Sequence, residues 1–194
     1  MVVTAHRGGV RLTTVDDGQT SFVPIRFSAV PHAVVGVPAP DGTSRWIAFG
    51  SGGGVVIWDL ASQRVLRELR IPRERTNVKA VTVVQSGGST LLAAATRERI
   101  QMWNTASWAP HARIDTPWTK SLAAVPLSAT HHLLASGSGH ALNLWDPVTA
   151  ENLHTLVTAA PVEAITALRD NGTLLLGIGG PAGFTALEVN LPSP

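Results

Sequence analysis

The sequence predicts an all-β chain built as an array of four-stranded antiparallel sheets, a β-propeller, on the strength of three observations. Trp58, Trp103 and Trp145 close similar apolar segments, VVIWD, IQMWN and LNLWD, at separations of 45 and 42 residues, and FTALE places Leu187 a further 42 residues on. Each segment belongs to a unit of four short runs rich in Val, Ile, Leu and Ala and bounded by Gly, Ser, Asn, Asp or Pro. Runs of about four to seven residues without sustained helical spacing read as strands of a meander. Four such strands recurring every ~42 residues form the pattern of a propeller blade.

The elements follow in order. The units cover approximately 1–27 (partial), 28–71, 76–115, 119–157 and 161–191 of a single repeat domain. Counting back twelve from the closing residues Trp58, Trp103, Trp145 and Leu187 gives Trp46, Leu91, Leu133 and Leu175, which open the second strands WIAFGS, LLAAAT, LLASGS and LLGIGG. Counting forward eleven from the tryptophans gives Leu69, Ile114 and Leu156, each in an outer, fourth strand. Counting back twenty-two gives Gly36, Val81, Ala123 and Ile165 for the innermost strands, with a longer loop shifting the first of these toward AVPHAVV. In the partial unit, MVVTA is the second strand, VRLTTV the third, and a weak fourth falls near Phe22 to Phe27. The total is eighteen strands where five complete blades need twenty. Four to five repeats and an incomplete ring are therefore expected, as the C-terminal part of a longer propeller or as an arc completed by another chain. An open arc exposes sheet edges and the apolar faces of its end blades.

The runs LLASGSGHALNLWD (133–146) and WIAFGSGGGVVIWD (46–59) resemble the WD-repeat (WD40) family: a small-residue strand ending Ser-Gly-Ser or Gly-Ser-Gly, a tight turn, and an apolar strand ending Trp-Asp. The resemblance covers nearly the whole chain, is strongest at Trp58-Asp59 and Trp145-Asp146, and weakens at Trp103-Asn104 and Leu187-Glu188. Typical repeats of the family carry an Asp in the turn six residues before the Trp, bonded to a His of an upstream Gly-His pair. Here the turn residues are Gly52, Arg97, Gly139 and Pro181, and the one Gly-His pair, Gly139-His140, lies in a turn itself. The sequence thus reads as a divergent branch lacking that network. The resemblance implies rigid blades with variable loops that dock a protein or peptide.

Composition narrows the function. The chain has 194 residues, 44% hydrophobic and 14% charged, with a net charge of +2. That charge is small for a protein built around a polyanion, so no nucleic-acid partner is expected. Without cysteine there is no disulfide, thiolate metal site or cysteine nucleophile. No apolar stretch reaches the ~20 residues of a spanning helix, and no signal-like segment opens the chain, which predicts a soluble, unexported, cytoplasmic protein with no membrane partner. Thirteen Arg against two Lys suit a GC-rich bacterial genome.

No motif carries catalysis. Gly50 to Gly54 lies between two strands and opens no helix, so it reads as a blade turn rather than a phosphate cradle. Ser51, Ser136 and Ser138 are in no strand-to-helix nucleophile elbow. His131, His132 and His140 fall in one unit, but neighbouring residues of a strand face opposite ways, and no carboxylate cluster accompanies them, so surface histidines are expected and no metal or other cofactor. Arg64, Arg67, Arg70, Arg73 and Arg75, with Glu68 and Glu74 between them, read first as charge protecting an outer edge strand. A rim holding carboxylates or phosphates is the functional counterpart, through Arg70, Arg73 and Arg75. Trp58, Trp103, Trp145 and Leu187 read as repeat core, and Trp46 with them. Trp108 and Trp118 sit beside Pro in loops and are the aromatic candidates for partner contact.

The expected function is a non-catalytic scaffold for a protein or peptide. A propeller hydrolase or lyase would need His, Asp or Glu on several innermost strands, which offer mainly Lys79 and Glu163. A third reading is an arc that self-associates through its end blades, two chains completing one ring.

Overall fold

The computed structural model describes residues 2–6, 8–13, 18–24, 30–40, 45–72, 77–170 and 173–189. Among them are eighteen strands and no helix, arranged as five antiparallel sheets of three, four, four, four and three strands. The first sheet is β1 (Val2–His6), β2 (Gly9–Thr13) and β3 (Thr20–Pro24); the second is β4 (Ala33–Pro38), β5 (Arg45–Ser51), β6 (Gly54–Asp59) and β7 (Arg64–Arg70). The third comprises β8 (Ala80–Ser86), β9 (Ser89–Ala95), β10 (Arg99–Asn104) and β11 (Pro110–Asp115), and the fourth β12 (Thr119–Pro126), β13 (His132–Ser138), β14 (Ala141–Trp145) and β15 (Asn152–Val157). The fifth is β16 (Ala164–Asp170), β17 (Thr173–Gly180) and β18 (Gly183–Val189). Every pairing is between consecutive strands, the arrangement of a meander.

Two expected strands differ in extent. The innermost strand of the second sheet is Ala33–Pro38, not a run centred on AVPHAVV, because Val37 pairs with Trp46 and is buried in the core. In the first sheet the third described strand ends at Pro24, and positions 25–29 lie outside the described residues.

The repeat is visible in the hydrogen-bond ladders. Trp58, Trp103, Trp145 and Leu187 pair with Ile47, Leu92, Leu134 and Leu176 respectively, an offset of eleven residues in all four sheets. On the other side of the three tryptophans the register slips immediately before the Trp, between Ile57 and Trp58, Met102 and Trp103, and Leu144 and Trp145. Such a bulge increases local twist and re-aims the side chain. The next residue then stops the strand: the side-chain oxygens of Asp59, Asn104 and Asp146 accept backbone N–H groups two and three residues on. Asp and Asn share this turn-forming ability, so Asn104 accepts the same pair of N–H groups as the acid of its sister units. Five residues beyond each tryptophan, Gln63, Trp108 and Ala150 adopt positive φ of 55°, 59° and 60°, one turn geometry built from three different residues.

Four apolar clusters join the sheets in chain order. Val10 and Leu12 of the first sheet pack with Ile47, Phe49 and Trp58 of the second. Val55, Ile57 and Leu69 pack with Leu92, Ala94 and Trp103 of the third; Leu91, Ile100 and Met102 with Leu122 and Leu134 of the fourth; Leu142 and Leu144 with Leu174, Leu176 and Ile178 of the fifth. Each repeat residue thus faces the sheet that precedes its own: Trp58 and Trp103 are buried, while Trp145 and Leu187 are half-buried against their clusters. The Trp145 indole N–H donates to Ser136 Oγ at 2.8 Å. None of the described clusters joins the first sheet to the fifth. On the outer side of the fifth sheet Leu168 and Phe184 remain exposed. Trp108 packs on Trp46, ring centroids 5.4 Å apart, half-buried at the edge of the core between the second and third sheets.

A histidine pair links the third and fourth sheets. Ser86 Oγ and His131 Nδ1 are 3.2 Å apart, and the Gln85 backbone N–H donates to His132 Nδ1 at 3.3 Å. The two rings therefore reach the same neighbouring hairpin. A backbone N–H can only donate, so this nitrogen of His132 carries its lone pair. Burial, and secondarily the charge of His131, holds His132 below the ordinary histidine value. On acidification the unfolded chain takes up a proton that the folded one resists, so this group leaves stability unchanged well above pH ~6.5 and lowers it as pH falls through that region. The urea midpoint is accordingly expected to fall between pH ~7.5 and ~5.5, and to fall less in His132→Asn; equal falls in both proteins would refute this role.

Candidate functional site

The innermost strands β4, β8, β12 and β16 lie next to one another, and residues at their N-terminal ends surround one cavity of about 840 Å³. Its wall begins with a repeated backbone feature. The N–H groups of His32, Lys79 and Glu163, each just ahead of an innermost strand, donate to the carbonyls of Gly50, Ala95 and Gly179 at 3.0, 2.8 and 2.9 Å. Lys120 holds the corresponding place in the fourth sheet, where the β12–β13 register slips between Thr119 and Ser121. His32, Lys79, Lys120 and Glu163 follow one another at intervals of 47, 41 and 43 residues, so four sheets each deliver one polar side chain to the same mouth.

Two loops complete the wall. The turn between β9 and β10 is shaped by Thr96, whose hydroxyl accepts the N–H groups of Glu98 and Arg99 and donates to the Arg99 carbonyl. This places Arg97 at the turn's tip, where its guanidinium carbon lies 3.6 Å from the centroid of the Trp118 ring. Trp118 comes from the loop between β11 and β12 and has a φ of 62°, in the left-handed region that costs a bulky residue energy. Two contacts hold it there: its N–H donates to the Arg97 carbonyl at 2.7 Å, and the preceding Pro117 carbonyl accepts the Ser138 hydroxyl. Trp118 is 55% exposed, and one face of its indole is taken by Arg97.

The polar groups of the mouth are partly committed to each other. Lys120 Nζ and Glu163 Oε1 form an ion pair at 2.8 Å across the fourth and fifth sheets, and Asn77 Nδ2 lies 2.9 Å from His32 Nε2 across the second and third. Thr119 is buried, and its hydroxyl oxygen has no hydrogen-bond partner among the described residues. Three cations, one carboxylate, an exposed indole and an amide are groups suited to holding a charged or aromatic segment.

Of the sequence candidates for partner contact, Trp118 is in the mouth; Lys79 and Glu163, named only as the main polar residues of the innermost strands, line it as well. Arg70 is exposed at the end of the outer strand β7, opposite Gly54, away from the cavity lining. Arg73, Arg75 and Glu74 lie outside the described residues. Arg97, Lys120, Thr119 and His32 were not singled out as site residues by sequence reasoning, although two signals mark them. Arg97 is the one charged residue among the four turn positions Gly52, Arg97, Gly139 and Pro181, and the 41-to-47-residue interval ties the inner-strand residues together. Among the described residues, no group of three or more His, Asp or Glu side chains is placed to hold a metal ion, and no helix is long and apolar enough to cross a membrane. Sequence comparison finds no matching family model and no matching curated protein.

Proposed function

We propose that this chain is a non-catalytic docking platform for a protein or peptide, a divergent propeller array of WD-like repeats whose binding site is the mouth at the inner-strand ends. The observation that supports it most directly is the convergence of residues from four sheets on one cavity, with Trp118 presented in a strained conformation at its rim. Strain maintained by surrounding contacts is characteristic of functional positions, and exposed indoles are frequent anchors of interfaces. The chemistry gathered here favours holding over bond-making, since the carboxylate is already taken by Lys120. The WD-repeat resemblance, in the segments ending at Trp58-Asp59 and Trp145-Asp146, points the same way.

The test is selection of random displayed peptides on the immobilised chain, followed by affinity measurement on the wild type and on Trp118→Ala. Enriched peptides that compete with one another and bind Trp118→Ala at least about tenfold more weakly are expected, since a hot-spot aromatic contributes ≥ ~2 kcal/mol. Absence of enrichment, or binding indifferent to Trp118→Ala, would overturn the reading.

A further inference from the structure

We infer that the mouth recognises an acidic side chain of a peptide, its carboxylate held between the Arg97 guanidinium and the Lys79 ammonium. The inference rests on the docking reading above and specifies its chemistry.

Charge is the first argument. Among the described residues, Lys79, Arg97 and Lys120 line the cavity against one carboxylate, Glu163, and that carboxylate is paired with Lys120 at 2.8 Å. Lys79 and Arg97 have no acidic partner among the described residues. Two cations without an acidic partner among the described residues, set in one concave wall, raise the positive potential there and draw an anion in.

Geometry is the second. Trp118 lies under the guanidinium, with the Trp118 N–H to Arg97 carbonyl bond tying the two loops together. Stacking uses the face of the guanidinium and leaves its N–H edges for a carboxylate, which they match bidentately. The group is thus oriented before a ligand arrives, which lowers the entropy lost on binding.

Size and sign select a peptide over other anions. A cavity of about 840 Å³ holds several residues rather than a lone carboxylate. A nucleic-acid strand needs a basic track with repeated stacking aromatics, whereas this mouth has a single indole, and Glu163 opposes a phosphate backbone.

The experiment is fluorescence anisotropy of a dye-labelled hexaglutamate peptide titrated with the full chain, with labelled hexalysine and a labelled six-residue thymidylate strand as comparisons. Saturable binding of hexaglutamate is expected, stronger than either comparison and weakened at least about tenfold by Lys79→Gln and by Arg97→Gln. Both side chains belong to exposed residues, so these variants should fold, which matched thermal melts will check. Arg113→Gln, whose guanidinium is bound to Asp115 on β11, should bind as the wild type does. Equal binding by the two mouth variants, equal or tighter binding of the thymidylate strand, or full displacement by citrate at matched carboxylate concentration would each overturn the inference. The displayed-peptide selection separates the two readings. Enriched peptides without acidic residues would overturn this one and leave docking intact, whereas no enrichment would overturn docking itself.

Discussion

Trp58→Ala is expected to cost about 3–5 kcal/mol of stability and to release the first sheet before the others. The indole is fully buried and lies in the cluster that joins Val10 and Leu12 to Ile47 and Phe49. Truncation removes its contacts and leaves a cavity that two hydrogen-bonded sheets cannot easily close, because their backbones are held by their ladders. Stacked repeats contact mainly their neighbours, so the damage should remain largely at this interface. Amide exchange can read this directly. The N–H groups of β2, around Val10 and Leu12, should lose protection in Trp58→Ala, while those of β17, around Leu176 and Ile178, keep theirs. Uniform loss across both strands would contradict nearest-neighbour stacking, and a cost below about 1 kcal/mol would contradict the burial.

Gly54→Ala is expected to be the most damaging single methyl in the second sheet. A Cβ at this position falls 2.3 Å from the Leu69 carbonyl oxygen and 3.2 Å from its carbon. These are backbone atoms of β7, paired with β6 through Val55 and Leu69, so no side chain can rotate away. The strand itself must move, loosening Leu69 and the neighbouring Ile71, both buried between the second and third sheets. Overpacking of this kind costs about 1–3 kcal/mol, and disturbance of the ladder adds to it. By contrast, Gly139→Ala in the β13–β14 turn meets no atom within 4 Å and faces only its φ of 55°, so its cost should be near that of a single strained turn residue, about 1 kcal/mol. Chemical denaturation of both variants provides the check; equal losses would mean that backbone conformation, not steric contact, governs both sites.

Much of the architecture was legible in the sequence because each strand carries its own local instruction. Trp58, Trp103, Trp145 and Leu187 mark equivalent places in four units, and counting from them locates the runs that became β5, β9, β13 and β17. Their period of 42 to 45 residues and the short, Gly-bounded runs already specify strands in meander order, and the expected eighteen match the eighteen among the described residues. Asp59, Asn104 and Asp146 announce their turns in the same way, since an Asx side chain needs only its own next residues to act.

The mouth was only half legible. Trp118 was legible because Pro117 marks a loop, whereas Lys79 and Glu163 stood out only as the main polar residues of the innermost strands and not as binding residues. Where each loop tryptophan packs depends on what stands opposite: Trp108 meets Trp46 across the second and third sheets, while Trp118 meets Arg97 at the surface. Nor does sequence spacing reveal that Arg97, twenty-one residues before Trp118, shares a backbone hydrogen bond with it. By itself, then, the sequence determined the strands, their order and the repeat residues that close them, because those follow from local periodicity and turn chemistry. Only the tertiary structure decided which side chains meet at the mouth, because that depends on how separate sheets stack, through contacts between residues some forty positions apart.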